Sequence, residues 1–362
     1  MKKCFFGFSV LLGLGLTSCN KGPDPTEPNY PAPTPYVWVQ KPFFPLPIIS
    51  IDNPLTVEGI ELGRHLFYDT RLSGDNTQSC ASCHNQDLAF TDNGKRFSEG
   101  ITGAIGTRNS MPLFNLTWSS RFFWDGRAAT LRQQVLLPVE DPIEMHDNLP
   151  GVVNELKATT LYPQLFGKAF GSEEITTEKM AKALEQFILS IVSTDSKFDS
   201  YRRDPVLNPL TASEQRGFDL FMREFSPPGS NRPKGADCFH CHGSILFTVN
   251  NFTNNGLDSE PATGFQIVTQ NPLDRGKFKT PSLRNVALTA PYMHDGRFAT
   301  LEDVIEHYNS GLKTSPTIDI NLKSAGVGLG LSNQDKADLV AFLRTLTDSV
   351  YTNNPAYSNP FD

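Results

Sequence analysis

Two stretches, Cys80-Ala81-Ser82-Cys83-His84 and Cys238-Phe239-His240-Cys241-His242, decide how this 362-residue chain is read. In each, two thiols three positions apart can add to the two vinyl groups of a porphyrin, and the adjacent histidine reaches its iron. A thioredoxin-like redox pair or a zinc site leaves both histidines unexplained, and the strand that should precede a redox pair is missing from the pattern. Two covalently bound haem c groups are therefore expected. Cys80, Cys83, Cys238 and Cys241 are the attachment points, and His84 and His242 the proximal iron ligands. The remaining cysteines, Cys4 and Cys19, fall in the N-terminal leader, so none is left for a disulfide.

Around each motif the sequence repeats itself in outline. Leu55-Thr56 and Gly63-x-x-Leu66-Phe67 precede the first motif, as Leu210-Thr211 and Gly217-x-x-Leu220-Phe221 precede the second. Arg108-Asn109 and Asp125-Gly126-Arg127-x-Ala129-Thr130-Leu131 follow the first; Arg284-Asn285 and Asp295-Gly296-Arg297-x-Ala299-Thr300-Leu301 follow the second. Such self-similarity implies two related haem domains. Met180, Leu184, Phe187, Ile188 and Ile191 share one helical face, as do Leu339, Val340, Leu343 and Leu346, and these stripes are read as core. Thr211 with Glu214, and Ser332 with Asp335, have the spacing of helix N-caps. The expected fold is mainly α, with long loops and little β structure. An N-terminal haem domain is placed at 51–203, a C-terminal one at 204–350 and a tail at 351–362, the boundary falling near Tyr201 to Asn208.

Lys2 and Lys3, the apolar run from Phe5 to Leu16, and Leu16-Thr17-Ser18-Cys19 read as a lipoprotein signal over 1–19, with Cys19 acylated; an ordinary secretory signal is the alternative. The apolar run is too short to span a bilayer. Nine prolines between Asn20 and Pro47 make 20–50 an expected extended tether between lipid anchor and enzyme. The chain is thus read as exported and membrane-attached. A net charge of −7 and a pI near 5.6 exclude a nucleic-acid partner and suit a basic electron donor.

Two Cys-x-x-Cys-His motifs about 160 residues apart, with Phe123-Trp124-Asp125-Gly126-Arg127 between them and Pro291-Tyr292-Met293-His294-Asp295-Gly296-Arg297 after them, closely resemble the bacterial di-haem cytochrome c peroxidase and MauG family. The likeness runs from about Asp52 to Thr347. It implies two cytochrome c-like haem domains with a calcium ion between them. It implies reduction of hydrogen peroxide at the N-terminal haem, while the C-terminal haem handles electrons from an exported donor such as a small cytochrome c or a cupredoxin. A MauG-like oxidase of a protein or organic substrate is a second reading, and a plain electron-transfer cytochrome a third. Trp124 matches the tryptophan that lies between the haems, Gln134 and Glu144 the polar groups over the open haem face, and Pro138 a residue shaping that pocket. Asn109, Thr289 and Pro291 match the calcium ligands. Family members often form homodimers, an option the resemblance leaves open.

Peroxide cleavage moves a proton from one oxygen to the other, so Glu144 is the acid/base candidate, whereas Gln134 cannot titrate and is given an orienting role. Two positions depart from the family pattern. Ile101 stands where members that need reductive activation carry an iron-capping histidine, so the first haem is expected to be five-coordinate at rest; His146 is a rival ligand. Tyr308, in Glu306-His307-Tyr308-Asn309, stands where ordinary members ligate the second haem through methionine, with Met293 as the alternative. A phenolate favours Fe(III), whereas methionine raises the potential. Both departures favour oxidised protein meeting peroxide directly, its two oxidising equivalents shared between the haems and Trp124 carrying charge between them.

Overall fold

The computed structural model describes residues 28–361. The signal at 1–19, the acylation of Cys19 and the start of the tether lie outside the described residues. Among the described residues, no helix is long and apolar enough to cross a membrane.

Two helix pairs organise the fold. Helix α1 (Val57–Tyr68) packs on α2 (Thr177–Ser190), and α3 (Ala212–Phe221) packs on α4 (Asn333–Arg344). The repeated glycine explains both crossings. A Cβ on Gly63 would stand 1.9 Å from the Ala183 carbonyl oxygen, and one on Gly217 1.9 Å from that of Asp338, so only glycine allows these backbones to approach so closely. Thr56 caps α1 by accepting from the Gly59 amide, and Thr211/Glu214 and Ser332/Asp335 form reciprocal capping boxes at α3 and α4. Extended structure is sparse: Phe252–Thr253 pairs antiparallel with Phe278–Lys279, Phe252 opposite Lys279.

Leu62, Leu66, Phe67, Phe90, Leu184 and Phe187 are buried in one hydrophobic cluster, and Leu220, Phe221, Phe247, Phe342 and Leu346 in another. Three details differ from expectation. Phe198, on the first-half side of the expected boundary, belongs to the second cluster, with Tyr201 packed against it. The tail packs back on the first half: Tyr351 and Tyr357 complete the first cluster, Tyr351 lying 5.9 Å from Phe90 and 5.8 Å from Phe114 between ring centroids. Buried Asp348 anchors this return, accepting from Ser193 Oγ and from the amides of Thr194 and Asp195.

The third difference concerns the tether. From Tyr30 onward it is a strap held to the protein. The Tyr30 hydroxyl donates to the Glu173 carboxylate, Pro35 bridges to Thr56, and Lys41 pairs with Asp195 at 2.9 Å. Trp38 meets Trp118 edge-on, Phe44 packs on the same indole, and Trp118 Nε1 donates to the Leu46 carbonyl at 3.0 Å. Aromatic side chains spaced among the prolines supply apolar surface that a free linker would leave in water.

Arg284 lies under the strap with no solvent exposure. Its guanidinium pairs with buried Asp199, donates through Nε to the Ser193 carbonyl (3.0 Å) and through Nη1 to that of Ile245 (3.1 Å), and faces the Phe44 ring.

The structure also corrects the register of the repeat. Asn115 and Asn285 both have φ of 57°, and each opens a short 3-10 turn, Leu116–Trp118 and Val286–Leu288. Both side-chain amides donate to Ser193, one to its carbonyl and one to its hydroxyl, each at 2.9 Å. Each stands ten residues before the aspartate of Asp-Gly-Arg. The counterpart of Asn285 is therefore Asn115 and not Asn109. Counting on from this register, Phe123 (φ 64°) matches Met293 (φ 76°), and Trp124 matches His294.

Candidate active site

The first motif folds into a single helical turn, Cys80–Cys83, with the His84 amide donating to the Cys80 carbonyl at 3.1 Å. The His84 ring is held by Nδ1, 2.8 Å from the Phe90 carbonyl; the His242 ring is held in the same way, 2.9 Å from the Phe247 carbonyl. Phe90 and Phe247 are both left-handed, at φ of 58° and 51°, which turns these carbonyls back onto the imidazoles. A carbonyl at Nδ1 requires a proton there and leaves the Nε2 lone pair for a metal. Enclosure lowers the pKa of His84 and brings that of His242 down to about 4, which favours the neutral form of each ring.

A cavity of about 600 Å³ is lined by Cys80, Cys83 and His84 and, from later segments, by Trp124, Gln134, Pro138 and Glu144. Phe67, Leu113, Phe122 and Leu184 contribute apolar wall. Two thiols in one turn, an imidazole held through Nδ1 and a largely apolar chamber of this size fit a haem c. Among the described lining residues His84 is the one histidine.

Glu144 is half-buried at the cavity edge; enclosure pushes its pKa above the usual carboxylate value, Asp141 adds to the rise, and Arg127 opposes it. The 98–106 loop is stitched to this segment by backbone. The Ile101 amide donates to the Glu144 carbonyl at 3.0 Å, and a Cβ on Gly100 would stand 2.0 Å from the Ile143 carbonyl oxygen. The Ile101 side chain turns toward Gly74 and is absent from the cavity wall, and the rival ligand His146 is exposed and likewise absent from it.

Trp124 is buried where the two halves meet. Its indole N–H donates to the Asn109 carbonyl at 2.8 Å, and its own carbonyl accepts from the Lys279 amide at 2.8 Å. The Asn109 amide donates to the His294 carbonyl at 3.0 Å, which sets Asn109 against the segment that carries Thr289 and Pro291.

At the second motif, Tyr308 lies in a π-helical turn, His307–Gly311, that ends the helix Leu301–Glu306. π-Turns inside helices are frequent at functional sites. The Tyr308 hydroxyl is hydrogen-bonded to the Asn255 side chain in surroundings shared with Cys238 and Cys241, and burial raises its pKa. The Met293 sulfur accepts from Asn255 Nδ2 at 3.2 Å. Both rival ligands thus converge on Asn255, a residue the sequence did not single out and for which it offers no local signal.

The family model for di-haem cytochrome c peroxidases matches residues 57–205. MauG of Methylorubrum extorquens is 36% identical over 313 residues, 81% of this chain and 79% of that protein. The chain belongs to the di-haem cytochrome c peroxidase family. The cytochrome c551 peroxidase of Nitrosomonas europaea, a member of the same family, is 33% identical over 314 residues, 84% of each chain. The crystal structure of a MauG-like protein associated with microbial copper homeostasis superposes with a TM-score of 0.79 at 38% identity, covering 90% of this chain and 100% of that one. Membership in a di-haem family implies two haem c groups.

Proposed function

We propose that the chain is a di-haem c-type peroxidase that reduces hydrogen peroxide to water in the cavity around His84, with electrons from an exported donor such as a small cytochrome c or a cupredoxin. The observation that carries this reading is the convergence of Glu144, Gln134 and the Cys80–His84 turn on one cavity with no second histidine in its described wall. The overall change takes H2O2, two electrons and two protons to two waters. When bound, the haem would supply the redox centre at which peroxide is reduced. Glu144 takes the proton from one peroxide oxygen and returns it to the other, a task that a carboxyl with raised pKa suits near neutral pH. Gln134 orients the substrate by hydrogen bonding, Pro138 shapes the wall, and Trp124 carries charge between the halves. In the same reading Asn109 Oδ1 and the carbonyls of Thr289 and Pro291 hold a Ca2+ ion whose shell waters complete. The protein is exported, with lipid on Cys19 holding it to a membrane.

Tyr308 favours a second reading, a MauG-like oxidase that spends the two equivalents on a protein or organic substrate. One equivalent of H2O2 added to fully oxidised protein without reductant tests what both readings share. Rapid loss of both ferric signals in absorption and EPR is expected, and unchanged spectra would remove both. Steady turnover with reduced cytochrome c then supports the peroxidase; peroxide-dependent modification of a partner supports the oxidase.

Replacing Tyr308 by methionine is expected to raise the midpoint potential of the second haem, because a thioether stabilises Fe(II) where a phenolate stabilises Fe(III). Spectroelectrochemical titration measures it. A potential equal to wild type would assign the ligand to Met293.

A further inference from the structure

Lys279 is buried at 8% exposure, on the short strand Phe278–Lys279 from the second half of the chain. It lines the cavity that holds His84. Its amine donates to the Arg121 carbonyl and lies 5.4 Å from the centroid of the Phe122 ring. Among the described residues no carboxylate forms an ion pair with it, and burial alone lowers its pKa to about 8. An ammonium taken out of water without an anion is costly, and a fold keeps one there when something else brings the charge. Arg108 lines the same cavity from the first half. Its guanidinium donates to the Thr107 carbonyl and lies 5.4 Å from the Phe278 ring, again without a carboxylate partner among the described residues. Arg127, in the same wall, is paired with Asp125 at 3.0 Å. The cavity thus presents two uncompensated cations, one from each half.

We propose that Lys279, with Arg108, is the counter-ion for the propionate carboxylates of the first haem, so that the second half of the chain completes the electrostatics of the first haem's pocket. This rests on the two-haem reading. Lys279 is a positioning residue with a fixed place: its amide is bonded to the Trp124 carbonyl, which ties the compensating charge to the path between the halves. With the cation gone, uncompensated carboxylates favour the oxidised iron, and the potential of the first haem falls.

The test uses the two-haem protein and the variants K279M, K279R and R108Q, with haem content from the pyridine haemochrome and the first haem's potential from spectroelectrochemistry. K279M is expected to retain both thioether-linked haems and to raise the oxidised-to-reduced ratio of the first haem about tenfold at fixed ambient potential, ~59 mV for a one-electron couple. K279R should restore most of the shift, and R108Q should give a smaller one in the same direction. A two-haem K279M protein with an unchanged potential would overturn the proposal and reduce Lys279 to its bond with Arg121. If K279M does not accumulate, R108Q decides, and no shift there overturns the proposal equally. Wild-type protein with one haem would instead refute the two-haem reading itself.

Discussion

Glutamine at position 144 is expected to slow the reaction with hydrogen peroxide by about 10²–10⁴-fold while leaving haem content and the resting spectrum unchanged. The substitution keeps the size of the side chain and its hydrogen-bonding capacity and removes only the ability to take and return a proton. The pH profile gives the sharper reading. Enclosure raises the pKa of Glu144 above the ordinary carboxylate value, so its basic form accumulates only as pH climbs through that elevated value. The wild-type rate should rise along this limb, with its midpoint on the alkaline side of a free glutamate, and the variant should be flat there. Stability runs the opposite way. A raised carboxyl pKa means that the fold disfavours the charged form, a penalty that sets in above the unfolded pKa and is complete above the folded one. Glu144→Gln should therefore not destabilise the protein at neutral pH, which separates a lost catalyst from a damaged fold. Stopped-flow mixing with peroxide across a pH series measures the rate and chemical denaturation the stability, and an unaltered rate would remove Glu144 from the chemistry.

Arg284→Met should lower the stability of the protein by about 3–5 kcal/mol, the usual cost of stranding one member of a buried ion pair. Methionine fills much of the volume but leaves the Asp199 carboxylate inside, where its Oδ1 already has no hydrogen-bond partner. It also strips the bonds to the Ser193 and Ile245 carbonyls and the cation facing Phe44. Chemical denaturation compares the two proteins. Arg284→Met combined with Asp199→Asn should recover part of the loss, since the stranded charge is gone. A loss below about 1 kcal/mol in the single variant, the scale of an exposed pair, would show that this buried pair contributes little to the stability of the fold.

What the sequence made legible was chemistry confined to a few neighbouring positions. Cys-x-x-Cys-His needs only adjacent residues to announce a haem, and the stripe of Met180, Leu184 and Phe187 announces a buried helix face; all three are buried in the first core. Family membership followed from the same short motifs. Long-range relations were not legible. Arg108-Asn109 imitates Arg284-Asn285 in letters, but the backbone turn belongs to Asn115, and the ten-residue spacing to Asp-Gly-Arg was the available signal. Phe198 follows the first half in sequence yet packs with Phe342, and Tyr351 reaches back to Phe90; no local periodicity encodes such partners. Lys279 is an ordinary lysine in the sequence. Its environment alone makes it unusual, and environment is a property of the finished fold.

The return of Tyr351 and Tyr357 to the first core has a consequence for how the protein is made. Domains commonly fold in the order in which they leave the ribosome. Here the half that is synthesised first waits for residues made long after it, because Asp348, Tyr351 and Tyr357 close its core only once the second helix pair has emerged. A product cut short before Tyr351 is therefore expected to leave the core beside the His84 cavity open.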